Sequence, residues 1–107
     1  TYIVLATFIV LGLINIEFML WFWLIPAVLS FHQEAIVNSV CHLGKFGYRT
    51  FDTKDKSMNI PLLALLTWGQ ALHNNHHYDY DSYNFAKKKN EFDPCTLFLP
   101  FIEEKVR

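Results

Sequence analysis

The chain has 107 residues, room for one domain at most, and its formal net charge of −1 removes the electrostatic argument for a nucleic-acid partner. Charge is placed unevenly: every Lys and Arg lies from Lys45 onward, and the first forty residues carry only Glu17 and Glu34. The composition therefore averages an apolar, aromatic half of membrane character with a polar half.

Residues 2–14 are apolar without interruption, which is short of the about 20 needed to cross a bilayer core. The chain opens inside this run without an initiator methionine or the basic and small-residue signature of a signal peptide, as expected of the C-terminal part of a longer protein. Asn15-Ile16-Glu17 makes a polar break, and an apolar run resumes at Phe18. Two layouts fit: a helical hairpin turning at 15–17, or one helix over 2–29. The hairpin is preferred, because Trp21 and Trp23 near the turn suit an interfacial belt and the pattern continues to Cys41. The second helix then covers about 18–40, with a kink expected at Pro26. His32, Gln33 and Glu34 follow as polar groups at or near membrane depth.

Asn38 and His42 stand at i, i+4 on one helix face. Gly44 and Gly47 end that helix, and 51–56 reads as a charged loop. Ser57 or Asn59 is the expected cap of a further helix over 61–77, with Pro61 in its first turn. Gly69 lowers its helicity and suggests close backbone approach. Lys87-Lys88-Lys89 fits a solvated face or anionic headgroups equally. A short amphipathic helix from Cys95 to Glu104, lying on a membrane surface, is expected to close the chain. Cys41 reads as a packed thiol and Cys95 as a helix-start residue, with no disulfide expected.

The segment His73-Asn74-Asn75-His76-His77 holds three of the five histidines. At i, i+3 and i+4 they share a helix face, and neutral imidazoles suit iron, copper, nickel or zinc. The zinc-protease motif needs Glu after the first His, where Asn74 stands. The Glu-x-x-His pattern of carboxylate-bridged di-iron bundles is missing too. Adjacent side chains on a helix diverge by about 100°, so His76 and His77 could serve two different ions. The distribution of Lys and Arg puts residues 42–107 on the cytoplasmic side, and with them His42 and His73/76/77 at one membrane boundary.

Asn38-Ser-Val-Cys-His42, Gly47-Tyr-Arg49, Leu62-Leu-Ala-Leu-Leu-Thr67, Gly69 and His73-Asn-Asn-His76-His77 together resemble the C-terminal part of membrane fatty-acid desaturases, nearest to the stearoyl-type delta-9 acyl desaturases of bacteria. The resemblance covers about residues 18–100. It implies an all-α fold: a transmembrane hairpin at 1–41, belonging to a four-helix membrane domain, and a cytoplasmic helical cap at 42–107. It also implies two irons held by histidine nitrogens, with His73, His76 and His77 as the third histidine box. His42 matches the further ligand after the last transmembrane helix, and Asn38 the residue reaching one iron through water. His32 and Trp68 fall at the acyl channel. Gln70 stands where the family usually has Glu and could orient the ligands without bringing a charge. The segment from His42 to Arg49 is two residues longer than the usual spacing, and the first and second histidine boxes are absent.

The activity so implied is oxygen-dependent introduction of a C=C, of delta-9 type, into an acyl chain carried as acyl-CoA or acyl-lipid. Its electrons would come from a donor such as cytochrome b5 or ferredoxin. The enzyme would sit in a bacterial inner membrane or the endoplasmic reticulum, and this chain by itself would be inactive. Hydroxylation on the same scaffold and a non-catalytic metal-binding membrane protein are the competing readings.

Overall fold

The computed structural model describes residues 2–99. Their order is α1 (Tyr2–Ile14), α2 (Ile16–Met19), a π-helical turn (Leu20–Leu24), α3 (Ile25–Val40), α4 (Pro61–Leu66), α5 (His73–Tyr78) and a 3-10 turn (Pro94–Leu97). No strand occurs among the described residues, so the all-α expectation stands. Only isolated antiparallel bridges form, Tyr48 with Asn59 and Asn59 with Leu72. The chain divides into two compact units, Thr1–Glu34 and Ala35–Arg107.

In the first unit one residue ends α1. Asn15 is extended (φ −156°, ψ 108°), and its side chain accepts from Phe18 N at 2.9 Å, capping α2. The chain then folds back, since Val4, Leu5 and Phe8 line one apolar groove with Trp23 and Phe31. The hairpin, not the single helix, is what forms. From Ile16 the helix runs 25 residues to Val40. Pro26 has no N–H, and its ring crowds the carbonyl one turn earlier. The helix answers with the π turn just before it, in which Ile25 N–H donates to Leu20 O.

Almost nothing apolar in this unit is covered. Met19 is its buried apolar residue, while Ile3, Leu13 and Phe31 are each at least 80% exposed. Each such side chain forgoes about 1.5–3 kcal/mol of burial if its surroundings are water.

The second unit is built the other way. Val37, Cys41, Ala64, Ala71 and Leu72 make a small apolar core, joined by Ile60, Leu63, Phe85 and Ala86. Buried beside them are Ser57, Asn59, Thr67, His73, Asn74, Asn75, Glu91 and Asp93. Buried polar groups are tolerated only when hydrogen-bonded, and here their partners tie the loops together. Asn59 exchanges backbone hydrogen bonds with Tyr48 at 2.7 and 3.0 Å, and Ile60 N donates to Ala71 O at 2.8 Å.

The helix expected over 61–77 is two short helices. Thr67 hydroxyl donates to Leu63 O and accepts from Ala71 N, closing a turn at the end of α4. Trp68 and Gly69 then take positive φ (52° and 87°), which no right-handed helix accommodates. A Cβ on Gly69 would fall on the Asp93 carboxylate, so the close approach is between this backbone and that side chain. The expected caps also differ: Ile60 precedes Pro61 without a side-chain bond, while Ser57 and Asn59 are spent inside the loop network.

Near the end, Asp93 caps the 3-10 turn by accepting from Cys95 N, with Pro94 in first place. The helix expected from Cys95 to Glu104 is that short turn as far as it is described, and 100–104 lie outside the described residues. Cys41 and Cys95 are free thiols.

Candidate metal centre

Three of the singled-out histidines meet. His73 Nε2 lies 3.1 Å from His42 Nε2 and 3.0 Å from His77 Nε2. Among the described residues these three form the group with donor atoms mutually within 4.8 Å. His42 arrives from the turn after α3, and His73 and His77 from one face of α5, as the i, i+4 spacing requires.

Their far nitrogens show what such close approach means. His73 Nδ1 lies 3.2 Å from the Gln70 carbonyl, and His77 Nδ1 lies 2.6 Å from Asp55 Oδ2. Both oxygens are acceptors, so each ring carries its proton on Nδ1 and a bare lone pair on Nε2. Two lone pairs 3.0 Å apart repel unless a cation or proton stands between them. The donor set is all imidazole nitrogen, suited to iron, copper, nickel or zinc. Burial, helped by the neighbouring His77, holds His73 down at about 4, so it is neutral at physiological pH.

His76 turns away from this trio. Its ring stands edge-on to Phe85, with centroids 4.7 Å apart and the planes at 65°. Its Nδ1 is buried without a hydrogen-bond partner, a costly state unless something absent from the chain binds there. Burial lowers its basicity also. The Nε2 atoms of the trio fit a metal ion.

Asn74 and Asn75, fully buried between the histidines, hold α5 in place. Asn74 Oδ1 accepts from Thr50 N and Phe51 N at 2.7 and 2.8 Å, and its Nδ2 donates to Phe51 O at 3.0 Å. Asn75 Nδ2 donates to Phe85 O at 2.8 Å and Glu91 Oε2 at 2.9 Å, while its Oδ1 accepts from Asn59 Nδ2 at 2.7 Å. Glu91 also accepts from Tyr48 hydroxyl and from Lys87 N and Lys88 N. Burial works against the charge of Glu91, but these donors outweigh it and lower its pKa. Asp55 is held below the usual carboxylate range in the same way: burial opposes ionisation, and bonds from Ser57 and Thr53, with the His77 ring beside it, overcome it.

Asn38 is exposed on α3, one turn before His42. Gln70 is exposed, and it is its backbone carbonyl that meets His73. Trp68 is half exposed in the turn, its ring edge-on to Phe98 at 5.9 Å. His32 belongs to the first unit, where its Nδ1 donates to the Val28 carbonyl at 2.8 Å. The sequence assigns no site role to Asp55, Asn59, Asn74, Asn75 or Glu91. Two consecutive Asn inside a short helix, where Asn is a poor helix former, were the signal available for the central pair.

In sequence the chain is similar to curated acyl desaturases over part of their length. Over 66 residues, 61% of this chain and 20% of the relative, the chain is 41% identical to the acyl-CoA 5-desaturase AL21 of Anemone leveillei. It is 43% identical over 61 residues to the sn-1 stearoyl-lipid 9-desaturase of Anabaena variabilis, covering 57% of this chain and 22% of that protein. It is 32% identical over 89 residues to delta-9 acyl-lipid desaturase 1 of Arabidopsis thaliana, covering 83% of this chain and 28% of the relative. The chain thus spans 16–28% of the length of such curated relatives. No family model matches it. No solved structure matches it.

Proposed function

We propose that this chain is the part of a membrane acyl desaturase that supplies one wall of a histidine-ligated di-iron centre. The observation that carries the reading is the convergence of His42, His73 and His77 through their Nε2 atoms, built from the residues in which the chain looks like a desaturase. These three would hold one iron. His76, through its orphaned Nδ1 side, would serve the other. Asn38, exposed one turn before His42, would reach an iron through a water, and the Gln70 carbonyl orients His73.

Removing two hydrogens from an unactivated methylene pair is beyond any side chain, so the irons with O2 supply the oxidising power. The balance is R–CH2–CH2–R′ + O2 + 2e⁻ + 2H⁺ giving R–CH=CH–R′ + 2H2O, with the electrons from a one-electron donor such as cytochrome b5 or ferredoxin. This chain's residues have three tasks. The imidazoles present neutral lone pairs at fixed positions. The Asn74 and Asn75 bonds keep α5 from relaxing away from the loops, which preserves those positions. The buried core under α5 limits water on that side.

Supporting a bilayer location, the 25-residue helix Ile16–Val40 would extend about 37 Å at 1.5 Å per residue, enough for a hydrocarbon core of about 30 Å. The basic residues from Lys45 onward put the histidines on the cytoplasmic side. An acyl chain carried by coenzyme A or a lipid, and a delta-9 product, complete the reading.

The test is to express the full protein with and without His73→Ala, count iron per polypeptide and profile the fatty acids. Two irons and a new monoene, both diminished in the variant, are expected. Zinc in place of iron, or unchanged lipids, would sink the proposal, and an alcohol in place of the alkene would assign hydroxylation.

A further inference from the structure

The histidines of the trio are not held alike. His73 sets its Nδ1 against a neutral carbonyl, that of Gln70, whereas His77 sets its Nδ1 against the Asp55 carboxylate at 2.6 Å. Asp55 belongs to the charged loop before α4, and the loop is shaped to aim it. Its second oxygen, Oδ1, accepts from Ser57 N at 2.8 Å and from Thr53 hydroxyl at 3.1 Å. Arg49 clamps the same loop from one side, donating to the Asp55 carbonyl and to Thr53 carbonyl and hydroxyl. Asn74 clamps it from the other, through Thr50 N, Phe51 N, Phe51 O and Thr53 hydroxyl. The loop is therefore fastened to the helix that carries His77, and one carboxylate oxygen is left to face one imidazole N–H.

We propose that Asp55 is a positioning residue of the metal centre: it locks His77 in the Nδ1–H tautomer, fixes Nε2 as the lone pair that meets the ion, and makes that nitrogen a stronger donor than Nε2 of His73. A carboxylate behind a ligating imidazole raises its basicity and sets its plane, and such partners are worth about 10–100-fold in metal affinity. The trio thus has one ligand backed by a full negative charge and one backed by a carbonyl dipole. An otherwise neutral ligand set acquires a single anion one bond behind the metal. This assignment rests on the metal reading above, and it concerns the chain's own residues whether or not iron is loaded.

The test uses the full protein labelled with ¹⁵N-histidine, purified free of metal, as wild type and as Asp55→Asn, with His77→Gln to identify the resonance. The first readout is the tautomer of His77 from its two ring-nitrogen shifts. Wild type should show Nδ1–H. In Asp55→Asn a substantial fraction should move to Nε2–H, because an amide can donate to Nδ1 where a carboxylate cannot. The second readout is iron affinity by chelator competition, expected to fall about 10–100-fold in Asp55→Asn. A loop that merely lost a structural bond would leave the tautomer alone. A wild-type His77 found as Nε2–H overturns the proposal without any variant. So does Asp55→Asn with unchanged tautomer and iron affinity, even if the protein desaturates normally. The predicted tautomer change in Asp55→Asn, beside a wild-type protein that takes up no iron, would uphold the hold of Asp55 on the ring and refute the iron reading instead.

Discussion

The two units of this chain are stabilised by opposite means. The first turns nearly all of its apolar side chains outward and buries Met19, while the second spends its interior on hydrogen bonds, with Asn59, Asn74, Asn75, Glu91 and Asp93 buried beside a few small apolar groups. A surface like that of the first unit is stable where the surroundings are themselves apolar. An interior like that of the second is stable only while every bond in it is made, because an unpartnered buried group costs more than a made bond returns. Substitutions should therefore fail differently in the two.

The sharpest contrast comes from Asn75→Ala. It strands the Phe85 carbonyl and one N–H of the Asn59 amide, whose other N–H still donates to Thr50 Oγ1, and at about 1–3 kcal/mol for each unpaired group the second unit should lose on the order of 4 kcal/mol. Denaturant titration of the metal-free protein would measure it, and a loss under 1 kcal/mol would mean that the network is not what holds α5.

The same size of insult in the first unit should be invisible to folding and visible to insertion. Val28→Asp, in the middle of Ile16–Val40, should cost about 2.5–3.5 kcal/mol of apparent insertion free energy. Membrane partitioning of the nascent helix is the measurement, and full insertion of the variant would remove the contrast between the units.

Acid should weaken the second unit. Glu91 has a lowered folded pKa, so its contribution is present above its ordinary 4.5 and fades as pH falls through the folded value. His73 is held at about 4 against 6.5 unfolded, so between those values the unfolded chain takes up a proton that the folded chain refuses, and stability falls with pH there as well. Metal-free protein should lose on the order of 2 kcal/mol between pH 7 and pH 4. Denaturation midpoints that stay level over that range would break this expectation.

The smallest effect is assigned to Tyr78→Leu. It ends a stack on Phe51, with rings 3.8 Å apart and 5° from parallel, worth about 0.5–1.5 kcal/mol. Hydrogen exchange at the 51–56 loop should quicken modestly, while the midpoint of the whole unit barely moves.

What sequence could and could not disclose follows from how far each cause acts. The Asn15 break, Pro61 at the start of α4 and the shared face of His73 and His77 are local consequences of one turn of chain, and all three were legible. His42 joining the cluster was legible as a convergence at one end of two helices. The break between α4 and α5 was not, because Gly69 is set against the carboxylate of Asp93, a residue distant in sequence. Asp55 was read as one charge in a charged loop, since nothing local distinguishes it from Asp52. The difference lies in Thr53, Ser57 and Arg49 folding around one of them. Asn74 was noticed only as the residue that is not Glu, although its amide binds the loop bearing Asp55.

The π turn at Leu20–Leu24 carries a further consequence, for azimuth. A π turn fits one more residue into a revolution than an α turn does, so the faces before and after it are offset by about 100° from those of an unbroken helix. Deleting one residue there would restore regular winding and swing Asn15, with α1 behind it, about a quarter of the way around the axis. Phe8 would leave Trp23 and Phe31, and the apolar groove they share would be dismantled without the loss of a single apolar side chain.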